Sequence, residues 1–226
     1  IFVFSLPIWF QTRWNLNNTW SLLGINKIDK NKKLIYYFLK GFTISSILLS
    51  LILITIIGTK SGYWVGEIYP NIFFNGILLM IGVGFAEELI FRGWLLEELK
   101  NQFGLKAAII AQASIFSIVH IGFNLPFFQM ISILTGLFLL GILLALIRLK
   151  DGSSLWGCIG LHGGLVALWF LTNNGLIEIS EDAPKWLVGP GTLNTNPLGG
   201  IFGISIMILF CFFYLKSFKK KISSFK

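Results

Sequence analysis

Apolar residues dominate six stretches of the chain, at about 38–58, 72–96, 107–123, 127–147, 154–173 and 198–215. Each is near the roughly 20 residues that a helix needs to cross the hydrocarbon core of a bilayer. The pattern predicts an all-α fold, a polytopic transmembrane helical bundle of about six spans. The opening "IFVFSLPIWF" is too short to span alone and predicts either the end of an upstream span or an interfacial segment. Residues 11–37 mix polar and aromatic positions, which predicts a membrane-surface stretch with Trp14 and Trp20 at headgroup level. "NNGLIEISEDAPKWLVGPGTLNTNP", residues 173–197, carries the Gly, Pro and Asn content of a loop. The expected organisation is an N-terminal interfacial or partial-span segment over 1–37, a transmembrane helical domain over 38–216, and a basic cytoplasmic tail over 217–226. No internal repeat is visible.

Composition agrees with this pattern. The chain is 55% hydrophobic and 12% charged, with a mean hydropathy of +0.78, which places it among membrane proteins. Its net charge of +8 does not read as a nucleic-acid partner, because the basic residues cluster between apolar runs. Lys27, Lys30, Lys32, Lys33, Lys40, Lys100, Lys106, Arg148, Lys150 and the tail lysines from Lys216 to Lys226 fall on one side of a six-span topology, against Lys60 and Lys185 on the other. The positive-inside bias therefore predicts that both ends of the six-span core face the cytoplasm. The tail "KSFKKKISSFK" reads as a solvated anchor, with binding of anionic lipid as the sharper alternative. Membrane lipids are the expected surroundings, and no feature of the pattern sets an oligomeric state. Cys158 and Cys211 both lie in apolar runs and read as packing residues, with neither a disulfide framework nor a metal-ligand spacing.

Charge changes the picture in one place. "FAEELIFRGWLLEEL", residues 85–99, puts Glu87, Glu88 and Arg92 inside an apolar run. A charge at mid-bilayer costs about 2.5–3.5 kcal/mol on insertion scales, so such groups must pair or line a wet cavity. Glu88 and Arg92 are four apart, on one helical face, with the acid N-terminal to the base. Glu87 points about 100° away and is left as a carboxylate free for chemistry. Mutual neutralisation at a helix end is the plain structural alternative. Glu97, Glu98 and Lys100 read as a solvated cytoplasmic helix end. Both histidines also lie in apolar runs, His120 in "FSIVHIGFN" and His162 in "GCIGLHGGL". Gly160, Gly163 and Gly164 would let a neighbouring helix approach His162 closely. Phe116, one turn before His120, reads as core. One free carboxylate and two imidazoles suit hydrolysis of an amide by activated water, with no covalent intermediate. No G-x-S-x-G stretch marks a nucleophilic serine. A zinc site from Glu87, His120 and His162 is conceivable, but no H-E-x-x-H accompanies them.

"EELIFR" fits an E-E-x-x-x-R motif, "FSIVH" fits F-x-x-x-H, and His162 follows on a later span. In that order, over roughly residues 70–175, the chain resembles the CAAX protease and bacteriocin-processing family, whose members are glutamate-dependent intramembrane proteases. The resemblance implies a metal-independent endopeptidase without cofactor, with Glu87 as the water-activating base, His120 assisting it and His162 stabilising the oxyanion. Glu88 and Arg92 would support them. The family's third motif is often H-x-x-x-N, whereas "HGGLV" has Val166 in the last place. Asn124, four after His120, is the candidate substitute for that amide donor. His120 falls late in its span and His162 early in its own, so a tilted or broken helix must bring them level. The expected substrate is a membrane-associated peptide or protein. A non-catalytic scaffold or immunity-type protein retaining the polar site is the alternative. A Glu–His proton-relay transporter would require symmetric halves with discontinuous helices, which the sequence does not show. The Ile-, Asn-, Lys- and Phe-rich composition points to a low-GC bacterium and its plasma membrane.

Overall fold

A computed structural model describes residues 2–16, 18–26, 33–121, 125–191 and 195–223. Asn124 lies outside the described residues, as do Lys27, Lys30 and Lys32. Each of the six apolar runs is mostly helical over its described residues. After α1 (Phe2–Trp14) and the single turn α2 (Thr19–Leu22) come α3 (Leu34–Gly58), α4 (Pro70–Glu88), α5 (Leu96–Val119), α6 (Phe127–Lys150), α7 (Trp156–Leu171), the short α8 (Lys185–Val188) and α9 (Ile201–Ser223). Three of the helical stretches, 34–58, 70–119 and 127–150, are long and apolar enough by themselves to cross a membrane. The fold is the all-α membrane bundle that the pattern predicts.

Local chemistry sets several boundaries. Pro70 opens α4 at its first turn, where a missing N–H costs nothing, and Pro126 precedes α6. Residues Leu89–Leu95 form a π-helix between α4 and α5, so the backbone is widened immediately after the two glutamates. Gly104, at φ 78° and ψ 165°, breaks α5 into two segments; only glycine adopts that conformation without strain. The 173–197 stretch is not a span, as expected, but it is more ordered than a plain loop. A π-helical turn (Thr172–Leu176) leads into β2 (Ile177–Ile179), which pairs antiparallel with β1 (Gly62–Trp64) in the register Gly62 to Ile179. Tyr63 of β1, exposed on the strand beyond α3, has its phenol pushed up by a hydrogen bond to Glu178.

α7 is the centre of the bundle, buried along most of its length between α3, α4 and α6. In lipid the hydrophobic effect does not draw helices together, so close packing of small residues has to do so. The glycines of α7 divide that work. Gly160 lies against the Phe38 carbonyl and Gly164 against the Ser45 hydroxyl of α3, while Gly163 lies against the Met80 carbonyl of α4. The Cβ of any larger residue at Gly84 of α4 would stand 2.8 Å from the Gly163 Cα. Large apolar side chains such as Ile54, Phe74, Leu78 and Phe213 face outward from the bundle, as a lipid-facing surface requires.

The N-terminal segment covers one end of the bundle. Leu6, Phe10 and Leu23 are buried against Leu89, Leu155 and Ile159, with Trp14 and Trp20 packed beside them. Trp14 Nε1 donates to Glu98 Oε2 at 2.8 Å, and Arg13 Nε to Glu98 Oε1 at 2.6 Å. Arg148, wholly buried, donates to the Leu22 carbonyl at 2.8 Å and pairs with Glu97 at 3.1 Å. The solvated helix end expected at Glu97 and Glu98 is therefore a correction: both carboxylates are buried, because basic groups on the N-terminal segment and on α6 reach them. Lys40 pairs with Asp151, fastening the turn that starts α7 to α3.

Candidate functional site

Glu87 and Glu88 end α4, and their side chains part as the helical geometry predicts. Arg92 Nη1 donates to Glu88 Oε1 at 2.8 Å, with both side chains fully buried. The guanidinium carbon lies 4.2 Å from the centroid of the Phe116 ring, a contact that stabilises a desolvated cation. Glu88 has a second partner that spacing along the chain does not reveal: its Oε1 accepts from His162 Nδ1 at 2.8 Å.

Glu87 turns instead to His120. Its Oε2 is 2.8 Å from His120 Nε2 and 3.8 Å from His162 Nε2. His120 caps the end of α5 at φ −97° and ψ 2°, and its Nδ1 stands 2.7 Å from the Phe116 carbonyl oxygen. A carbonyl only accepts, so Nδ1 carries a proton. The short contact from Nε2 to the Glu87 carboxylate then requires a further proton between those two atoms. Glu87 and His120 each keep 28% of their side-chain surface exposed, against none for Glu88 and Arg92. Of these two pairs, Glu87–His120 is the one whose side chains are partly open.

The level problem is solved by where the helices stop and start. α5, broken at Gly104, ends at Val119, so His120 sits at its tip. α7 begins at Trp156 from a turn whose Asp151, Ser154 and Leu155 are already buried. Six residues later His162 is deep in the bundle. Phe116, buried as expected, fills the space between the two imidazoles, with ring centroids 4.4 Å from His120 and 5.5 Å from His162.

Both imidazoles line a cavity of about 460 Å³. Its walls are mostly apolar, with Leu49, Ile52, Leu137 and Leu165 among them, and Val166 faces it one turn beyond His162. Asn173, Asn174, Thr195 and Asn196 make its polar end. Sequence reasoning passed over these four. The i, i+4, i+7, i+11 series of α7 (His162, Val166, Trp169, Asn173) holds the signal that could have found Asn173; Asn196 comes from a separate turn that only folding brings near. Among the described residues, no group of three His, Cys, Asp or Glu side chains is arranged to hold a metal ion.

No curated protein and no solved structure matches the chain significantly. One family model does, described as Rce1-like, type II CAAX prenyl endopeptidase, over residues 69–168. That stretch contains Glu87, Glu88, Arg92, His120 and His162, the residues that carry the resemblance to the CAAX protease and bacteriocin-processing family. Helices of membrane-spanning length and apolarity accompany it. Over residues 69–168 the chain thus matches the Rce1-like family of CAAX endopeptidases, within a fold whose helices include three long and apolar enough to cross a membrane.

Proposed function

We propose that the chain is an intramembrane endopeptidase that hydrolyses peptide bonds of membrane-associated peptides or proteins with water activated by Glu87 and His120. The observation that carries this reading is the 2.8 Å contact between Glu87 Oε2 and His120 Nε2, part-exposed beside an apolar cavity. With a proton already held between Oε2 and Nε2, Glu87 Oε1 is the free base. It takes a proton from water as the oxygen attacks the peptide carbonyl carbon. The carbonyl π electrons move to its oxygen, and His162 Nε2 is the nearest charged-group donor when it carries a proton. Collapse of the tetrahedral intermediate breaks the C–N bond, and the proton held by the Glu87–His120 pair passes to the leaving amine. One water is consumed, one acid and one amine form, and the site returns to its starting protonation. Glu88 and Arg92 orient His162 and do not touch the reacting atoms.

The lysine distribution supports a cytoplasmic location for both ends of the six-span core, in a bacterial plasma membrane. The second reading, a non-catalytic membrane protein that keeps the polar network, is favoured by Val166, which withdraws an amide donor from beside His162. The deciding experiment uses the protein purified in detergent with quenched-fluorescent apolar peptides. Hydrolysis that Glu87→Gln abolishes, with insertion and folding intact, supports the peptidase. Cleavage by Glu87→Gln at the wild-type rate removes Glu87 from the reaction.

A further inference from the structure

Phe116 reads from the sequence as a core residue, and it is wholly buried. Its neighbours are not those of an ordinary core residue. The Arg92 guanidinium carbon lies over its ring, 4.2 Å from the centroid. The His120 imidazole packs against the same ring at 4.4 Å between centroids, tilted by 46°. His162 meets it nearly perpendicular, at 5.5 Å and 79°. One ring therefore touches a buried cation and both imidazoles of the site. These three groups come from the π-helix after α4, the tip of α5 and the middle of α7.

Arg92 needs such a neighbour. Its side chain is fully buried, and Nη1 bonds the Glu88 carboxylate. Its Nε and Nη2 are buried with no hydrogen-bond partner among the described residues. Desolvating a cation is costly unless its surroundings compensate. The negative face of an aromatic ring compensates without supplying a hydrogen-bonding atom. The position of Arg92 matters beyond its own pair, because Glu88 Oε1 accepts from both Arg92 Nη1 and His162 Nδ1. A shift of the guanidinium draws that oxygen with it and changes the aim of His162. Phe116 acts on His120 by a second route. Its carbonyl oxygen stands 2.7 Å from His120 Nδ1, and its ring limits the rotation of the imidazole, so Nε2 stays directed at Glu87. A saturated side chain of the same volume would fill the space and leave the carbonyl in place, but it would offer Arg92 no negative face.

We infer that Phe116 is a positioning residue of the site. The face of its ring holds Arg92 and, through Glu88, sets the aim of His162, while its carbonyl and ring together fix His120. The position requires the electrons of the ring as well as its bulk. The kinetic consequence rests on the endopeptidase reading; the hold on Arg92 does not.

Replacement of Phe116 by monofluoro-, difluoro- and trifluorophenylalanine, introduced by nonsense suppression, tests it. Fluorine withdraws charge from the face of the ring in steps and changes its volume little. The melting temperature in detergent should fall stepwise across the series in otherwise wild-type protein. It should stay level in the Glu88→Leu/Arg92→Leu background, where no cation lies over the ring. On quenched-fluorescent apolar peptides, kcat should fall stepwise to about a tenth of wild type or less, with KM unchanged. Equal thermal loss in both backgrounds, or none in either, reduces Phe116 to packing and overturns the inference. A constant kcat across a series whose stability falls overturns it too. If wild type hydrolyses no peptide, the endopeptidase reading fails, and the comparison of melting temperatures between the two backgrounds still decides whether the ring holds Arg92.

Discussion

Glu88 Oε1 receives His162 Nδ1 at 2.8 Å. The same oxygen takes Arg92 Nη1 at 2.8 Å, so a buried ion pair on the α4 end is wired to an imidazole on α7. The carboxylate fixes which nitrogen of His162 points into the protein and which faces Glu87 and the cavity. A histidine held in this way presents its Nε2 without spending side-chain entropy at the moment of reaction.

Removing either member of that pair should damage the fold. Glu88→Leu leaves the Arg92 cation buried without its carboxylate, and Arg92→Leu leaves the converse. Each should cost about 3–5 kcal/mol, while the double variant recovers much of the loss because two apolar residues replace two desolvated charges. Activity should not return with stability, since His162 has lost its anchor. Thermal unfolding in detergent, read beside peptide cleavage, checks both statements. Four proteins of equal stability would show that the pair contributes nothing.

The pair itself was legible, because Glu88 and Arg92 sit on consecutive turns of one helix and local spacing decides their contact. Glu87's separation from Arg92 was legible for the same reason. The bond from Glu88 to His162 joins residues 74 apart, and nothing local to either fixes it. The six helices were readable from the apolar runs, since bilayer thickness sets their length. The burial of Glu97 and Glu98 was not. It depends on Arg13, Trp14 and Arg148 arriving from other elements, and an isolated "EELK" looks the same whether covered or bare. Asn173 escaped notice because a polar residue after an apolar helix ordinarily marks its end.

A bulkier residue at Gly84 should uncouple the two halves of the site. Its Cβ would stand 2.8 Å from the Gly163 Cα; the backbone fixes the Cβ position and the Cα is itself backbone, so neither atom can rotate away. Gly84→Val should separate α4 from α7 and cost about 1–3 kcal/mol or more, as overpacking does. Glu87 and Glu88 would then move away from His162, and cleavage should fall by at least a hundredfold. A variant that keeps wild-type turnover would show that the close helix crossing is not what positions the glutamates.

Chelation separates two ways of activating water. Glu87 and His120 already share a proton across 2.8 Å, which provides a base with no further group. Activity should therefore survive EDTA and phenanthroline unchanged. Loss with chelator and recovery with zinc would replace Glu87-activated water with a metal-bound one and turn the three residues into ligands.

Val166 is the place where the site can be improved. It lies one turn after His162 and lines the same cavity, so under the proposed reading a side chain there would reach towards the carbonyl under attack. Hydrolysis builds negative charge on that oxygen, and a preorganised donor beside it is worth roughly 2.7–4 kcal/mol, or about 10²–10³ in rate. Valine has no donor. Val166→Asn gives up the β-branch and adds an amide N–H, so turnover on a peptide substrate should rise, with kcat changing more than KM and the melting temperature little altered. Asn124→Ala is the matched comparison. If Asn124 already supplies the donor, that variant loses about a hundredfold and Val166→Asn gains nothing. If neither variant changes kcat, the amide donor has no part in the reaction, and His162 or a backbone N–H bears the oxyanion without it.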